Sequence, residues 1–353
     1  MRANNTMVAL GIFLHAIGGF AAGSFYIPFK KVKDWAWESY WLVGGFFSWV
    51  LSPWLVAFIT VPGLIDILKE SPKQSILWSY LFGLLWGIGG LTFGLSMRYL
   101  GMSLGYAIAL GFCATFGTIV PPMYAGTLGN LFTSVSGLVT LTGIPVCLAG
   151  IAICAWAGIV KEKELSATQK QEMIKEFNLP KGLIVATFAG AMSACMAFGF
   201  AAGKPIANLA VERQVPALWQ NSAVLVIILA GGFTTNFLWC MFLNLKNRTG
   251  GDYFKSNGMT LNNYLFSAIA GITWYLQFMF YGMGTTKMGK YDFSSWTIHM
   301  AFIIVFSNIW GLHFKEWQGS SKRTLALVVS GIFVVFLSTL VIGVGNYLAA
   351  VGK

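Results

Sequence analysis

The passage KEKELSATQKQEMIKEFNLPK, residues 161–181, is the one strongly charged stretch of this chain. Five long apolar runs precede it, near 7–28, 38–60, 76–98, 102–123 and 137–160. Five more follow, near 182–202, 217–243, 261–284, 292–313 and 325–348. A bilayer core about 30 Å thick is crossed by about 20 apolar residues in a helix, and each run is long enough. The layout predicts an all-α polytopic membrane protein with ten transmembrane helices. Its divisions are a first five-helix half over 1–160, a charged linker over 161–181 and a second five-helix half over 182–353.

Composition agrees. Of 353 residues, 56% are hydrophobic and 10% charged, with a mean hydropathy of +0.69, whereas soluble domains carry about 25% charged residues. Strands of a membrane barrel alternate apolar and polar over about 10 residues. These runs are unbroken and rich in glycine, so the remaining way to satisfy the backbone in lipid is the helix. Arg2 and Ala21-Ala22-Gly23 resemble parts of a secretory signal, but the run continues through Phe25 to Phe29 and is expected to stay as a span. The five cysteines, Cys113, Cys147, Cys154, Cys195 and Cys240, all fall in apolar runs without metal-site spacing and read as small buried hydrophobes.

The formal net charge is +11. Its lysines and arginines are spread over short loops, which argues against a nucleic-acid partner and for membrane topology. Fifteen of the 23 fall on the face that carries Lys30, Lys31, Lys33, Arg98, the linker, Lys246, Arg248, Lys255, Lys315, Lys322 and Arg323. By the positive-inside rule that face is cytoplasmic, which puts the linker inside and both termini outside.

An odd number of spans per half makes the second half enter the membrane upside down. An internal trace fits: Ser79, Gly83, Trp86, Gly94 and Gly101 match Ser267, Gly271, Trp274, Gly282 and Gly289, all 188 positions on. Inverted repeats of this kind place their site near the midplane. Glycine pairs such as Gly19 with Gly23 and Gly83 with Gly87 read first as surfaces for close helix packing.

Ionisable groups in hydrocarbon cost about 2.5–3.5 kcal/mol on insertion scales, so each asks for a reason. His15 and His299 lie mid-span, while Glu38, Arg98 and Asp292 lie at span ends. On the ninth span Asp292, Ser295, Trp296 and His299 share one helical face. On the eighth, Thr273, Trp274, Gln277, Tyr281 and Gly284 do so, and on the second Glu38, Trp41, Gly45 and Trp49. His15 shares a face with Gly11, Gly18, Gly19 and Ala22.

Aromatic faces beside amides, hydroxyls and imidazoles fit a small neutral polyol. Trp35, Trp37, Trp54, Trp78 and Trp317 read as interfacial anchors. Trp274 and Trp296 lie deeper, with pathway lining and packing both open. Asn221, Asn236 and Asn308 read as bridges between helices. Histidine suits proton exchange, as does a buried carboxylate, though either histidine alone reads equally well as structural. A phosphate-binding GxxxxGKS or GxxxxGKT loop is missing, which argues against ATP-driven transport. Three histidines without HExxH or clustered carboxylates argue against an enzyme.

The passages HAIGGFAAGSFYIPFKKVKDWAWESYW (15–41), WGIGGLTFGLSMRYLGMSLG (86–105), EFNLPKGL (176–183), WYLQFMFYGMG (274–284), YDFSSWTIHM (291–300) and KEW (315–317) resemble the bacterial L-rhamnose–proton symporter family of the drug/metabolite transporter superfamily. The resemblance runs from about residue 7 to the C-terminus. It implies ten helices as two inverted five-helix repeats and proton-coupled uptake of L-rhamnose, or a related 6-deoxyhexose or other monosaccharide, across the bacterial inner membrane. The family's GNINYG departs here to Gly89-Gly90-Leu91-Thr92-Phe93-Gly94, which leaves the identity of the sugar open.

The expected substrate-binding residues are Trp86, Trp274, Gln277, Tyr281, Ser295 and Trp296. The proton-coupling candidates are His15, Glu38, Asp292 and His299. No cofactor is expected beyond the proton as coupling ion. The expected partners are a sugar and membrane lipid, not nucleic acid or metal, with the protein a monomer or weak homodimer. The alternative is a superfamily exporter or facilitator of another small metabolite.

Overall fold

The computed structural model describes residues 2–124, 129–164, 176–255, 258–288 and 295–350. Among these, every regular element is helical. Among the described residues eight segments are long and apolar enough to cross a membrane: Val8–Phe29, Trp37–Thr60, Lys73–Gly101, Val135–Lys161, Leu179–Glu212, Ala217–Asn247, Ser295–His313 and Lys322–Gly345. The fourth expected run contains a shorter apolar helix, Leu104–Gly117. The eighth lies within the 28-residue helix Gly258–Thr285, which Asn262, Asn263, Thr273 and Gln277 make less apolar.

Two boundaries differ from the sequence expectation. The third and fourth runs form one helical stretch, Lys73–Tyr124, interrupted at Gly101 with φ 80° and ψ 175°. That backbone region is essentially restricted to glycine, so a single residue makes the break without a loop. The helix Val135–Glu164 runs into the charged passage. Lys161 is buried there as the end of a span, not free in the linker. The next helix, Leu179–Ser193, starts at Asn178, whose side chain accepts from the Lys181 N–H. Residues 165–175 lie outside the described residues.

The chain forms two compact units, and each draws segments from both sides of the linker. One comprises Met1–Gly23, Gly89–Ala194 and Lys287–Lys353, the other Ser24–Ile88 and Cys195–Thr286. In the first, Val135–Glu164 lies along Lys322–Ala350, with Gly143 against Ile342 and Gly331 against Cys154. Lys161 Nζ donates to the Glu316 carbonyl at 2.5 Å and stands 4.5 Å from the Trp317 ring centroid. Glu164 accepts from Ser321 and Thr324 at the start of Lys322–Ala350. A carboxylate suits a helix N-terminus, and the bonds from Ser321 and then Thr324 hold its pKa below the usual carboxylate value.

In the second unit, two glycines set the closest crossings. A Cβ on Gly83 would stand 2.1 Å from the Ile228 carbonyl oxygen, and one on Gly271 would stand 2.1 Å from that of Gly44. These are two of the residues related by the 188-position shift. Each lets its helix touch a helix from the other side of the linker at backbone distance. The five cysteines are buried and form no disulfide among the described residues.

Overpacking at such contacts costs about 1–3 kcal/mol. Gly83→Ala and Gly271→Ala are each expected to lower the thermal midpoint of the detergent-purified protein by several degrees. Gly250→Ala, where a Cβ meets nothing within 4 Å, serves as the control and is expected to leave it unchanged.

Candidate functional site

The second helix of the sequence reading begins at Trp37 with Ala36 as its N-cap, a residue with no side chain to satisfy the first N–H groups. From 216 positions away Asp252 accepts one of these, the Ala36 N–H at 2.8 Å, together with the Ser39 hydroxyl at 2.9 Å. Lys255 Nζ bonds its other oxygen at 2.5 Å. Glu38 is buried and accepts from Asn247 Nδ2 and Thr249 Oγ1, both at 2.9 Å. Asn263 clamps the Lys33 backbone through its N–H and carbonyl. These bonds fix how the helix enters and therefore where its tryptophans point.

Further along, Phe47–Leu51 is a π-helical turn followed by Ser52–Thr60 with Pro53 in its first turn. Proline has no N–H for the carbonyl four residues back and clashes with it. The chain widens to a π turn, a feature frequent at functional sites, and Trp49 sits on it. Trp274 stands at the centre of the resulting aromatic cluster. Its ring stacks on Phe25 at 4.3 Å between centroids and meets Trp49 at 5.0 Å, Trp41 at 5.2 Å and Trp86 at 6.2 Å.

One buried amide holds this cluster together. Asn236 accepts from Trp41 Nε1 at 2.9 Å and donates to the carbonyls of Gly232 at 2.8 Å and Gly87 at 3.1 Å. Trp49 Nε1, Tyr275 OH, Ser48 Oγ and Ser267 Oγ are buried with no hydrogen-bond partner among the described residues. Gln277 is also buried. Tyr281 packs edge-on to Phe200 at 5.3 Å. Aromatic faces with unsatisfied donors and hydroxyls can accept the C–H face and hydroxyls of a small polyol.

The other unit carries an imidazole pair. Gly19 and Gly23, one and two turns beyond His15, meet Phe302 and Phe306 of the helix Ser295–His313. This close approach brings the buried rings of His15 and His299 to 6.0 Å between centroids at 62°. Tyr106 OH donates to the Ala22 carbonyl at 2.8 Å on the same segment. Ser295 is buried, and the Trp296 indole lies beside Gly117. Asp292 lies outside the described residues. Among those described, no group of three or more His, Cys, Asp or Glu is placed to hold a metal.

Residues 3–349 match the L-rhamnose-proton symport protein family. The chain belongs to that family. It is 38% identical over 345 residues to proteins named L-rhamnose-proton symporter in Yersinia pestis (strain Pestoides F) and Yersinia pseudotuberculosis serotype O:1b (strain IP 31758). The match covers 97% of this chain and 99% of theirs.

In this member of the L-rhamnose-proton symport protein family, Trp86, Trp274, Gln277, Tyr281 and Glu38 fall in one unit. His15, Ser295, Trp296 and His299 fall in the other. Helical spacing put Trp41 and Trp49 on a stripe with Glu38, but only the tertiary structure joins them to Trp86, Trp274 and Phe25. Pro53, four positions after Trp49, was the available signal. Trp35, Trp37 and Trp317, read as interfacial anchors, are buried in protein instead, Trp35 between Tyr253 and Tyr264, Trp37 on Trp41 and Trp317 under Lys161. Trp78 is exposed. Asn221 and Asn236 bridge helices as expected, whereas the Asn308 amide bonds the Ile304 carbonyl of its own helix.

Burial alone would raise the Asp252 pKa, but the bonds from Lys255, Ala36 and Ser39 outweigh it and hold the carboxyl below its ordinary value. A depressed folded-state pKa contributes stability above the unfolded value, and this is lost as pH falls through the folded one. Asp252→Asn is expected to lower the thermal midpoint at pH 7, with the gap to the unsubstituted protein closing below about pH 4. Melting curves across that range check the sign.

Proposed function

We propose that this chain is a secondary active transporter that carries L-rhamnose into the cell together with a proton. The observation that carries the reading is the family match over residues 3–349, with 38% identity along nearly the full length of proteins named for this activity. The aromatic cluster around Trp274 supports it, because an aromatic wall with unsatisfied polar groups suits a 6-deoxyhexose, which has one apolar methyl and several hydroxyls.

In this proposal Trp86, Trp274, Gln277 and Tyr281 contact the sugar; Ser295 and Trp296, expected from the sequence to do so too, belong to the other unit. His15, Asp292 and His299 carry or relay the proton, which is the only coupling ion and needs no other cofactor. Two imidazolium charges 6.0 Å apart repel by about 3 kcal/mol at an effective dielectric constant of about 20, so the His15–His299 pair takes up one proton rather than two. By its place in the sequence Glu38 is a candidate as well. One of its two oxygens, Oε1, accepts from both Asn247 and Thr249, which favours an anchoring role.

The same reading takes the chain across the bacterial inner membrane ten times, with Leu104–Gly117 and Gly258–Thr285 adding to the eight long apolar spans. The two halves are inverted repeats, the linker is cytoplasmic and the termini are periplasmic. Support comes from Gly83 and Gly271, which occupy like crossings 188 positions apart, and from the way each compact unit draws on both halves.

Adding L-rhamnose to de-energised cells that express the protein is expected to make the medium more alkaline, because protons enter with the sugar. Rhamnose entry without a pH change would remove proton coupling, and a pH change only with another sugar would remove L-rhamnose as substrate. His299→Gln is expected to abolish the alkalinisation while sparing counterflow of labelled sugar.

A further inference from the structure

We infer that Trp49 is a specificity-determining residue of the sugar site: its ring forms a wall of the Trp274 cluster and its indole N–H donates to one hydroxyl of the bound sugar. The inference rests on the transport reading above and adds a residue and a role to it. Three observations carry it. The Trp49 ring lies 5.0 Å from Trp274 and 5.9 Å from Trp86, within the aromatic cluster. Its N–H is buried and has no acceptor among the described residues, a state that a folded protein avoids unless another group supplies the bond. The residue stands on the π turn that precedes Pro53, a kind of local distortion frequent at functional sites.

Trp41 gives the internal contrast. Its ring lies in the same cluster, 5.2 Å from Trp274, but its N–H is spent on Asn236. Trp41 can therefore offer a substrate only its face, while Trp49 offers a face and a donor. Removing a donor matters for one hydroxyl, and removing a positioned face matters for every sugar that stacks there.

The test is uptake by the full-length protein in cells, with L-rhamnose and a set of its singly deoxygenated analogues. Trp49→Phe keeps an aromatic face, though a smaller one, and deletes the N–H. In the unsubstituted protein, the analogue that lacks the matched hydroxyl is expected to be taken up with a KM about tenfold higher than L-rhamnose. In Trp49→Phe that difference is expected to vanish for this one analogue and persist for the others. Trp41→Phe is expected to raise KM evenly across the set.

If Trp49→Phe fails to reach the membrane, Gly45→Ala replaces it. The added methyl would stand 2.5 Å from the Trp49 ring, so it displaces the indole, and the same loss of discrimination is expected. An even change across the set, or none, overturns the role of Trp49. Uptake of neither L-rhamnose nor any analogue by the unsubstituted protein overturns the transport reading itself.

Discussion

Every structural choice in this chain follows from the absence of water in hydrocarbon. A peptide N–H or carbonyl there has no partner unless the segment supplies one, so each crossing is a helix that closes its own ladder. The helices then gain nothing from the hydrophobic effect by associating, because lipid is as apolar as they are. They must touch closely enough for dispersion and a few interhelical bonds to hold them. Gly83 against Ile228, Gly271 against Gly44 and Gly19 against Phe302 are where this happens. Each removes a side chain so that backbone can meet backbone.

Close contact of that kind has a functional consequence, since it decides which polar groups meet. The Gly19 and Gly23 contacts turn two separately placed imidazoles into a pair. Gly44 and Gly271 press the helix of Trp41 and Trp49 against the helix of Trp274, and an aromatic cluster forms across that seam. Asn236 then closes three bonds at one point, to Trp41, Gly87 and Gly232. In a medium without water such a satisfied amide rigidifies what it touches. In the same unit, Trp49 Nε1 and Tyr275 OH stay buried without a hydrogen-bond partner among the described residues.

Polar order at the loop ends works on the same seam. Ala36 cannot cap its own helix, and Asp252 supplies the missing acceptor with Lys255 balancing its charge. The bond that positions the first turn of a membrane helix thus comes from a loop more than two hundred residues later. In the other unit, Glu164 plays the equivalent part for Lys322–Ala350 through Ser321 and Thr324.

Much of this architecture was legible in the sequence because it depends on local rules. Run length and apolarity mark the spans, helical periodicity groups Ser295, Trp296 and His299, and the 188-position match picks out glycines that prove to sit at like crossings. The break at Gly101 left only a glycine to read, because positive φ needs no polar loop. What the tertiary structure alone decided is partnership. The pairing of His15 with His299, the bond from Asn236 to Trp41, the burial of Trp35, Trp37 and Trp317 and the entry of Trp49 into the Trp274 cluster all join residues far apart in the chain. Periodicity tells which face of a helix a residue occupies. Which other face it meets depends on where two backbones can approach, and that is a property of the packed assembly.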